Sequence, residues 1–287
     1  MVRGIPALFA CLVISDMVRL DRQNKPGPTK GKTEMRKYSI AAIALACIFL
    51  FLQRAVAQTS EVRVLASNGI KAVVEDLLPQ SERAIGHTLS VQYRPTAALK
   101  QEIDAGEPFD VVIVTVESIA QLSKEGKTTG GDGTPISRVG VGIGIRKGAP
   151  RPDISTPEAL KRAILGAKAI AYGPTGASTP YITRMLDTLG IADTMKAKTL
   201  LFDTSDGTNA AVVQGKADFG ITLVSEILPA KGVELLGPFP DEFQGYVRFS
   251  AAVSANAKTP EAARVLIEFL AGPDALPSIK ARGMQAH

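Results

Sequence analysis

Residues 62–116 read VRVLASNGIKAVVEDLLPQSERAIGHTLSVQYRPTAALKQEIDAGEPFDVVIVTV, and this stretch decides the fold. It alternates strand and helix patterns, which lie at 62–66, 70–78, 88–93, 97–105 and 110–116. The last of these segments is a nearly continuous β-branched run, which is typical of a parallel strand buried on both faces. The order strand, helix, strand, helix, strand predicts an α/β fold with a parallel sheet.

The alternation restarts after a loop rich in Gly and Thr at 127–135. Further strands are predicted at 139–146, 169–172, 199–202, 219–223 and 247–253, and further helices at 158–165, 181–189, 208–214, 260–270 and 275–281. Because the elements after 247 have no partners of their own, we expect them to return to the first half. We therefore predict two lobes, 58–138 plus 250–287 and 139–249, each a mostly parallel sheet flanked by helices, joined by two crossover strands.

An export signal lies inside the chain, at 35–57. Arg36 and Lys37 precede an apolar stretch at 40–52 and the ending Ala-Val-Ala, whose last residue is Ala57. A charged head, an apolar middle and small residues before the cut define a secretion signal. We predict cleavage after Ala57 and a periplasmic protein.

The residues before the predicted cut allow other interpretations than a cleaved signal. Residues 1–34 are interpreted as a non-native or disordered extension ahead of the real start. A retained anchor is disfavoured, because 13 apolar residues at 40–52 are fewer than the roughly 20 that span a bilayer. A lipid anchor on Cys47 is disfavoured because apolar residues continue after it to Leu52.

Composition excludes several functions for the part after Ala57. Nine of the 33 Lys and Arg and three of the 28 Asp and Glu precede that cut, which leaves 24 and 25, a net charge of about −1. No basic excess remains to bind nucleic acid. Both cysteines, Cys11 and Cys47, also precede it, which excludes disulfides. No His, Asp or Glu cluster has metal-ligand spacing, so we expect neither a metal nor a cofactor.

At four places in the sequence, a small polar residue stands where a predicted strand ends and a predicted helix begins. The residues that we predict to bind a ligand in this way are Ser67, Asn68, Thr96, Ser178, Thr179 and Ser205. A helix N-terminus has unpaired N–H groups and a partial positive charge, so it can bind an anion. Any one of these residues could be an ordinary helix cap, but four instances divided between two lobes predict a site in the cleft.

Catalysis is disfavoured by the residues present. His87 and His287 are the only histidines, so a serine–histidine site would need His87. The glycines at 140, 142 and 144 lack dinucleotide-binding spacing and lie on alternate residues of a predicted strand, where glycine permits close packing. We therefore expect a protein that is not an enzyme; an exported hydrolase that uses Ser178 is the alternative.

The chain after residue 60 resembles the molybdate-binding family of solute-binding proteins of ABC importers. The segments that carry this resemblance are VRVLASNGIKAVVEDL, ALKQEIDAGEPFDVVI, YGPTGASTPYITRMLDTLGI, AAVVQGKADFGIT and AARVLIEFLAGPDA. The resemblance implies two α/β lobes, the periplasmic-binding-protein fold, that close on a tetrahedral oxyanion by a hinge motion. It also implies delivery to an ABC permease and ATPase in the membrane, by a protein that we expect to be a monomer.

The resemblance places the family's two serines at Ser67 or Asn68 and at Thr96 or Ala97, and its backbone donors at Ser178 and near Ser205. Two donors of the family are missing here. The serine-rich second loop reads RPTAA at 94–98, and Leu223 stands where a tyrosine is expected. The ligand is therefore either molybdate or a related oxyanion, or a small organic acid. A secreted sensor that presents its ligand to a receptor is a further alternative.

Overall fold

The computed structural model describes residues 61–287, so the predictions for 1–34, for the signal at 35–57 and for its cleavage lie outside the described residues. The strands in the described part are β1 (Val62–Ser67), β2 (Leu89–Arg94), β3 (Val111–Thr115), β4 (Thr128–Arg146), β5 (Ile170–Tyr172), β6 (Thr199–Leu201), β7 (Phe219–Leu223), β8 (Val233–Pro238), β9 (Tyr246–Ser254) and β10 (Gln285–Ala286). The α-helices are α1 (Lys71–Ile85), α2 (Thr96–Asp104), α3 (Val116–Lys124), α4 (Pro157–Gly166), α5 (Thr179–Thr188), α6 (Ala192–Lys196), α7 (Ser205–Val213), α8 (Val224–Ile227), α9 (Pro260–Ala271) and α10 (Leu276–Ala281). Short 3₁₀ helices lie at Asn68–Ile70 and Pro273–Ala275.

The strands form two mixed sheets that share β4. The order along the strands is β2-β1-β3-β9-β4-β7-β5-β6, with β10 and β8 also paired to β4. β1, β2 and β3 are mutually parallel, as are β5, β6 and β7, whereas β4, β8, β9 and β10 run antiparallel to their partners. We call the half built on β2-β1-β3 lobe 1 and the half built on β6-β5-β7 lobe 2. The predicted α/β fold is confirmed.

Strand β4 carries the chain from one lobe to the other. Its first part, up to Gly140, pairs with β9, and from Val141 it pairs with β7 and β8. The prediction of a loop at 127–135 is wrong, because residues 128–146 form one continuous strand. The residues between Thr129 and Thr134 are not paired with β9, and three glycines among them have positive φ. These glycines form an irregularity within a strand rather than a connection between strands.

The second crossover leads from β8 in lobe 2 to β9, which pairs with β3 and β4. Helix α9 then packs against α1, so the last elements return to lobe 1 as expected. The lobe boundaries at 138/139 and 249/250 stay a prediction.

Buried apolar residues run through both lobes. Strand β3 is the centre of lobe 1, and Val111, Val112, Ile113 and Val114 are at most 1% exposed, as the β-branched run predicts. One apolar cluster includes residues of β1, β4, β7 and β9 and therefore continues across the crossovers. This shared core connects the two lobes.

The alternating glycines of β4 allow close packing. A Cβ atom at Gly142 would lie 2.9 Å from Val224 Cγ2, and one at Gly144 would lie 2.8 Å from Val233 Cγ1. Both distances are too short for a real side chain. The sequence interpretation of these glycines as packing residues is confirmed.

Candidate functional site

The wall of the cleft in lobe 1 begins with a pair of hydroxyl groups. Ser67 ends β1 and Thr96 begins α2, just after β2. Because β1 and β2 are parallel and Ser67 is in register with Arg94, their carboxyl ends lie side by side. Thr96 Oγ1 donates to Ser67 Oγ at 3.1 Å, and Ser67 is buried. The structure thus brings together two of the predicted residues that lie 29 positions apart in the chain.

A third element of the same wall was missed by sequence reasoning. Thr115 ends β3 directly before α3, and its Oγ1 donates to Ser118 Oγ at 3.1 Å. Both residues line the same cavity as Thr96. Like Ser67 and Thr96, Thr115 is a small polar residue at the point where a strand ends and a helix begins, so the same sequence pattern could have identified it. The sequence reading instead extended the β3 strand through Val116, which hid the start of α3.

Helix α5 supplies the first wall element of lobe 2. Ser178 is the N-cap of α5, is 4% exposed, and makes no side-chain capping hydrogen bond. Thr179 is different, because its Oγ1 donates to Gly173 O at 2.6 Å and its N–H donates to Gly176 O at 3.0 Å. Both donors of Thr179 therefore hold the loop before α5.

Helix α7 supplies the second wall element of lobe 2. Its N-cap is Thr204, whose Oγ1 accepts from Gly207 N at 3.1 Å. The predicted residue, Ser205, is the first residue of the helix, and its side chain hydrogen-bonds to the carboxyl group of Glu226. Ser205 is thus not the cap, and its hydroxyl is coupled to a partly buried acid that the sequence analysis did not single out.

Two cavities contain residues of both lobes. The first has a volume of about 620 Å³ and brings Thr96 and Thr115 of lobe 1 together with Thr175 and Ala177 of lobe 2. The second, of about 230 Å³, places Asn68 opposite Ser205. Of the predicted residues, Thr96 lines the first cavity and Asn68 and Ser205 line the second, whereas Ser67, Ser178 and Thr179 line neither. Both cavities lie at the carboxyl ends of the parallel strands, where ligands bind in open α/β sheets. Their roles in ligand binding stay a prediction.

The lobes touch directly beside these cavities. Ser225 Oγ of lobe 2 donates to Gly69 O of lobe 1 at 2.7 Å, and both residues are buried. Leu223 is 2% exposed and packs against Gly69, where Phe249 also lies. At the position where the molybdate-binding family has a tyrosine hydroxyl, this protein therefore has an apolar contact between its lobes.

Glu226 is a partly buried acid that lines the smaller of the two cavities. Thr222 Oγ1 donates to its carboxylate, and Leu223 N donates to it at 3.4 Å. Burial raises the pKa of Glu226 above its ordinary value of 4.5, and the hydrogen bonds from Thr222, Leu223 and Ser205 oppose that rise. Because the folded state favours the protonated form, this group stabilises the fold at low pH, and the stabilisation is lost as pH rises through its folded pKa.

We expect Glu226→Gln to become more stable than the unmodified protein as pH rises. Glutamine keeps an acceptor for Thr222 and Leu223 but is never charged, so the cost of burying a carboxylate is removed. Thermal unfolding of both proteins from about pH 5 to about pH 9 measures the difference in Tm, which should grow with pH. Glu107→Gln, at an exposed position, is the control. A difference that is independent of pH would contradict the prediction.

The histidine that a serine hydrolase at Ser178 would need is distant from the cleft. His87 follows the far end of α1, a helix of 15 residues that starts at the cleft, so it lies about 22 Å from the cleft. Among residues 61–287, no group of three His, Cys, Asp or Glu side chains could hold a metal ion. In the same part of the chain, no helix is both long and apolar enough to cross a membrane.

Two α/β lobes, joined by two crossovers and facing each other across strand ends and helix N-termini, define a two-lobed binding protein. Residues 62–285 match the family model of the bacterial extracellular solute-binding proteins, and the chain belongs to this family.

Two curated proteins and one solved structure illustrate the range of its relatives. An aconitate isomerase of a Pseudomonas species is 28% identical over 228 residues, which cover 77% of this chain and 86% of that protein. The molybdate-binding protein ModA of Azotobacter vinelandii is 26% identical over 235 residues, or 79% of this chain and 90% of that protein. The structure of the A. vinelandii periplasmic molybdate-binding protein superposes with a TM-score of 0.64 at 19% identity, over 78% of this chain and 98% of that one. The resemblance to the molybdate-binding type is confirmed.

Proposed function

We propose that this protein is exported to the periplasm, with cleavage after Ala57, and that it captures a small anion between its lobes for import by an ABC permease and ATPase. The observation that supports the proposal is that two cavities between the lobes are lined by polar residues of both lobes. Thr96 and Asn68 of lobe 1 and Ser205 of lobe 2 line these cavities, Ser67 is hydrogen-bonded to Thr96, and Ser178 is the N-cap of α5. N–H groups at such helix ends favour an anion.

The cations at the cleft support binding by neutral donors. Lys100 lies in the larger cavity but pairs with Asp104 at 2.8 Å and with Glu125 at 3.0 Å. Arg248 pairs with Glu117 at 3.4 Å. Lys71, in the smaller cavity, lies 4.0 Å from Glu75. Since all three cations have carboxylate partners, the donors that remain for an anion are hydroxyl and backbone N–H groups. Such a site selects its ligand by the positions of these donors rather than by excess positive charge.

Two features favour a small organic acid over molybdate as the ligand. Leu223 offers no hydroxyl, and a lost hydrogen bond to a charged ligand costs about 1.5–3 kcal/mol. The larger cavity, about 620 Å³, lies within the roughly 300–1,000 Å³ of pockets that hold small organic molecules. The similarity to an enzyme named for aconitate, a tricarboxylate, supports the same choice.

Titration calorimetry tests the choice of ligand. The purified protein is titrated with molybdate, tungstate and sulfate, and with a panel of carboxylates that includes citrate and both aconitate isomers. We expect heat of binding with at least one carboxylate and weaker binding, or none, with the oxyanions. Tight binding of molybdate without heat of binding from any carboxylate would show that the ligand is an oxyanion. No heat of binding with any compound of the panel would overturn the anion proposal.

We expect Ser178→Ala and Asn68→Ala each to weaken binding of the carboxylate found in this way by about 10- to 100-fold, because each loses a donor to a charged ligand. Neither side chain makes a capping hydrogen bond in the structure, so the melting temperature without ligand should change little. Ser90→Ala, at an exposed position of β2, is the matched control and should alter neither value. A large loss of stability with unchanged affinity would show that these residues are structural.

A second candidate function is the isomerisation of an unsaturated organic acid, which the similarity to the aconitate isomerase favours. Incubation of the protein with cis-aconitate, followed by chromatographic separation of the two isomers, distinguishes it from binding alone. Under the leading proposal we expect binding without interconversion. Formation of trans-aconitate above the rate in a protein-free sample would contradict the expectation that this protein is not an enzyme.

A further inference from the structure

The end of lobe 2 that lies opposite the cleft contains a cavity of about 770 Å³. It opens where β4 ends at Arg146, and where β5 and β7 begin, after Lys168 and Asp218. The cleft lies at the other ends of these strands, beyond Leu223. Strand β7 has five residues, so about 16 Å separates the two places. The cavity is therefore distinct from the cleft and lies wholly within one lobe.

Cationic side chains outnumber carboxylates in the lining of this cavity, although Arg151 also pairs with Glu234 at 3.8 Å outside it. Its lining contains four cationic side chains, which are Arg146, Arg151, Arg162 and Lys168. The lining has one carboxylate, Asp218, and its Oδ2 accepts from the backbone N–H of Lys168 at 2.6 Å. Since the chain after Ala57 has a net charge of about −1, this excess is a local concentration of cations.

Two of the four cations are available to a ligand. Arg151 donates to the carbonyls of Leu235 and Leu236, and Lys168 Nζ donates to a third backbone carbonyl. Arg146 and Arg162 are both exposed, and within residues 61–287 neither has a hydrogen bond or an ion pair shorter than 4.0 Å, while the charge of Arg162 interacts with that of Asp153 at a longer distance. A guanidinium group offers a planar set of donors that fits phosphate and carboxylate oxygens in pairs.

The other walls of the cavity are apolar and include Ala149, Pro150, Ala163 and Val212. The volume exceeds what an inorganic anion fills and lies in the range of pockets for small organic molecules. An anion with an organic body can thus place its charged groups against the two arginines and its body against the apolar wall.

From this combination we propose that the far end of lobe 2 is a second binding site, which takes a small organic phosphate with two or more negative charges through Arg146 and Arg162. The phosphate can belong to a soluble molecule or to a lipid headgroup, because both present the same oxygens to the guanidinium groups. The site does not involve the cleft, so it does not depend on the function proposed above.

Calorimetry and vesicle sedimentation test the proposal. The purified full chain is titrated with adenosine diphosphate, with pyrophosphate and with uncharged adenosine, and is sedimented with vesicles of anionic or of neutral phospholipid. We expect saturable binding of adenosine diphosphate, none of adenosine, and at least about a tenfold loss of affinity in Arg146→Gln/Arg162→Gln. Binding of anionic vesicles without any soluble phosphate, lost in the same variant, would support the phosphate site and assign the lipid as its source.

The matched control is Arg184→Gln/Lys231→Gln, which removes the same charge from exposed positions of lobe 2 outside the cavity. This variant should bind as the unmodified protein does. An equal loss in both double variants would show a general charge effect and overturn the proposal, as would the absence of binding to every phosphate probe. Ser178→Ala should leave this affinity unchanged, so failure of the cleft proposal and failure of this one give different results.

Discussion

Replacing Asp110 by alanine is expected to lower the free energy of unfolding by about 3–5 kcal/mol. Asp110 is 2% exposed and precedes β3. Its carboxylate accepts from the backbone N–H groups of Arg63 at 2.9 Å, Lys258 at 2.6 Å and Thr259 at 3.2 Å. It therefore joins β1 and the segment before α9, two parts of lobe 1 that are far apart in sequence. Alanine leaves these donors without their acceptor in a buried place.

Urea unfolding measures this loss, with two variants for comparison. Asp110→Asn keeps one carbonyl oxygen as an acceptor and should lose less stability than Asp110→Ala. Asp132→Ala removes an exposed carboxylate and should stay within about 0.5 kcal/mol of the unmodified protein. If Asp110→Ala were as stable as Asp132→Ala, the carboxylate would not be the group that holds these segments together.

Replacing Gly69 by alanine is expected both to destabilise the protein by about 1–3 kcal/mol and to weaken ligand binding. The added Cβ would lie 2.5 Å from Phe249 Cζ and 2.7 Å from Leu223 Cδ1. Phe249 is fully buried and Leu223 is 2% exposed, so neither can move away cheaply. The backbone must shift instead, which disturbs the hydrogen bond from Ser225 to Gly69 O and the approach of the two lobes.

Unfolding by urea and calorimetry with the bound carboxylate measure the two effects of Gly69→Ala. Gly166→Ala is the control, because nothing lies within 4 Å of its added Cβ and its φ is not positive. That variant should be at least as stable as the unmodified protein, since alanine favours the end of α4 by up to about 1 kcal/mol. Unchanged stability and affinity in Gly69→Ala would show that the lobes are not packed as closely as the structure has them.

The sequence predicted the elements that are dictated by local pattern. The β-branched run of β3 indicated a strand buried on both faces, and strand β7 was predicted at its observed residues, 219–223. Helix α1 was predicted to end at 78, but it continues through Pro79 to Ile85, and Gly86 follows in a left-handed conformation. Packing of its buried residues keeps the helix intact past the proline.

The sequence missed features that depend on distant partners. The segment at 128–135 contains the glycines of a loop, and it is a strand only because β9, more than 100 residues later, pairs with it. Ser225 and Glu226 carry no local signal of function. They matter because Ser225 meets Gly69 of the other lobe and because Glu226 is partly buried against Ser205.

By itself the sequence determined the class of fold and the positions where helices begin after strands, since periodicity and strand-end residues are local properties of the chain. Only the tertiary structure decided which of these positions share a cleft. It joined Ser67 to Thr96, used the donors of Thr179 within its own loop, and placed Leu223 between the lobes. The physical reason is that burial, charge pairing and hydrogen-bond partners depend on distances between residues far apart in the chain, which a local pattern does not contain.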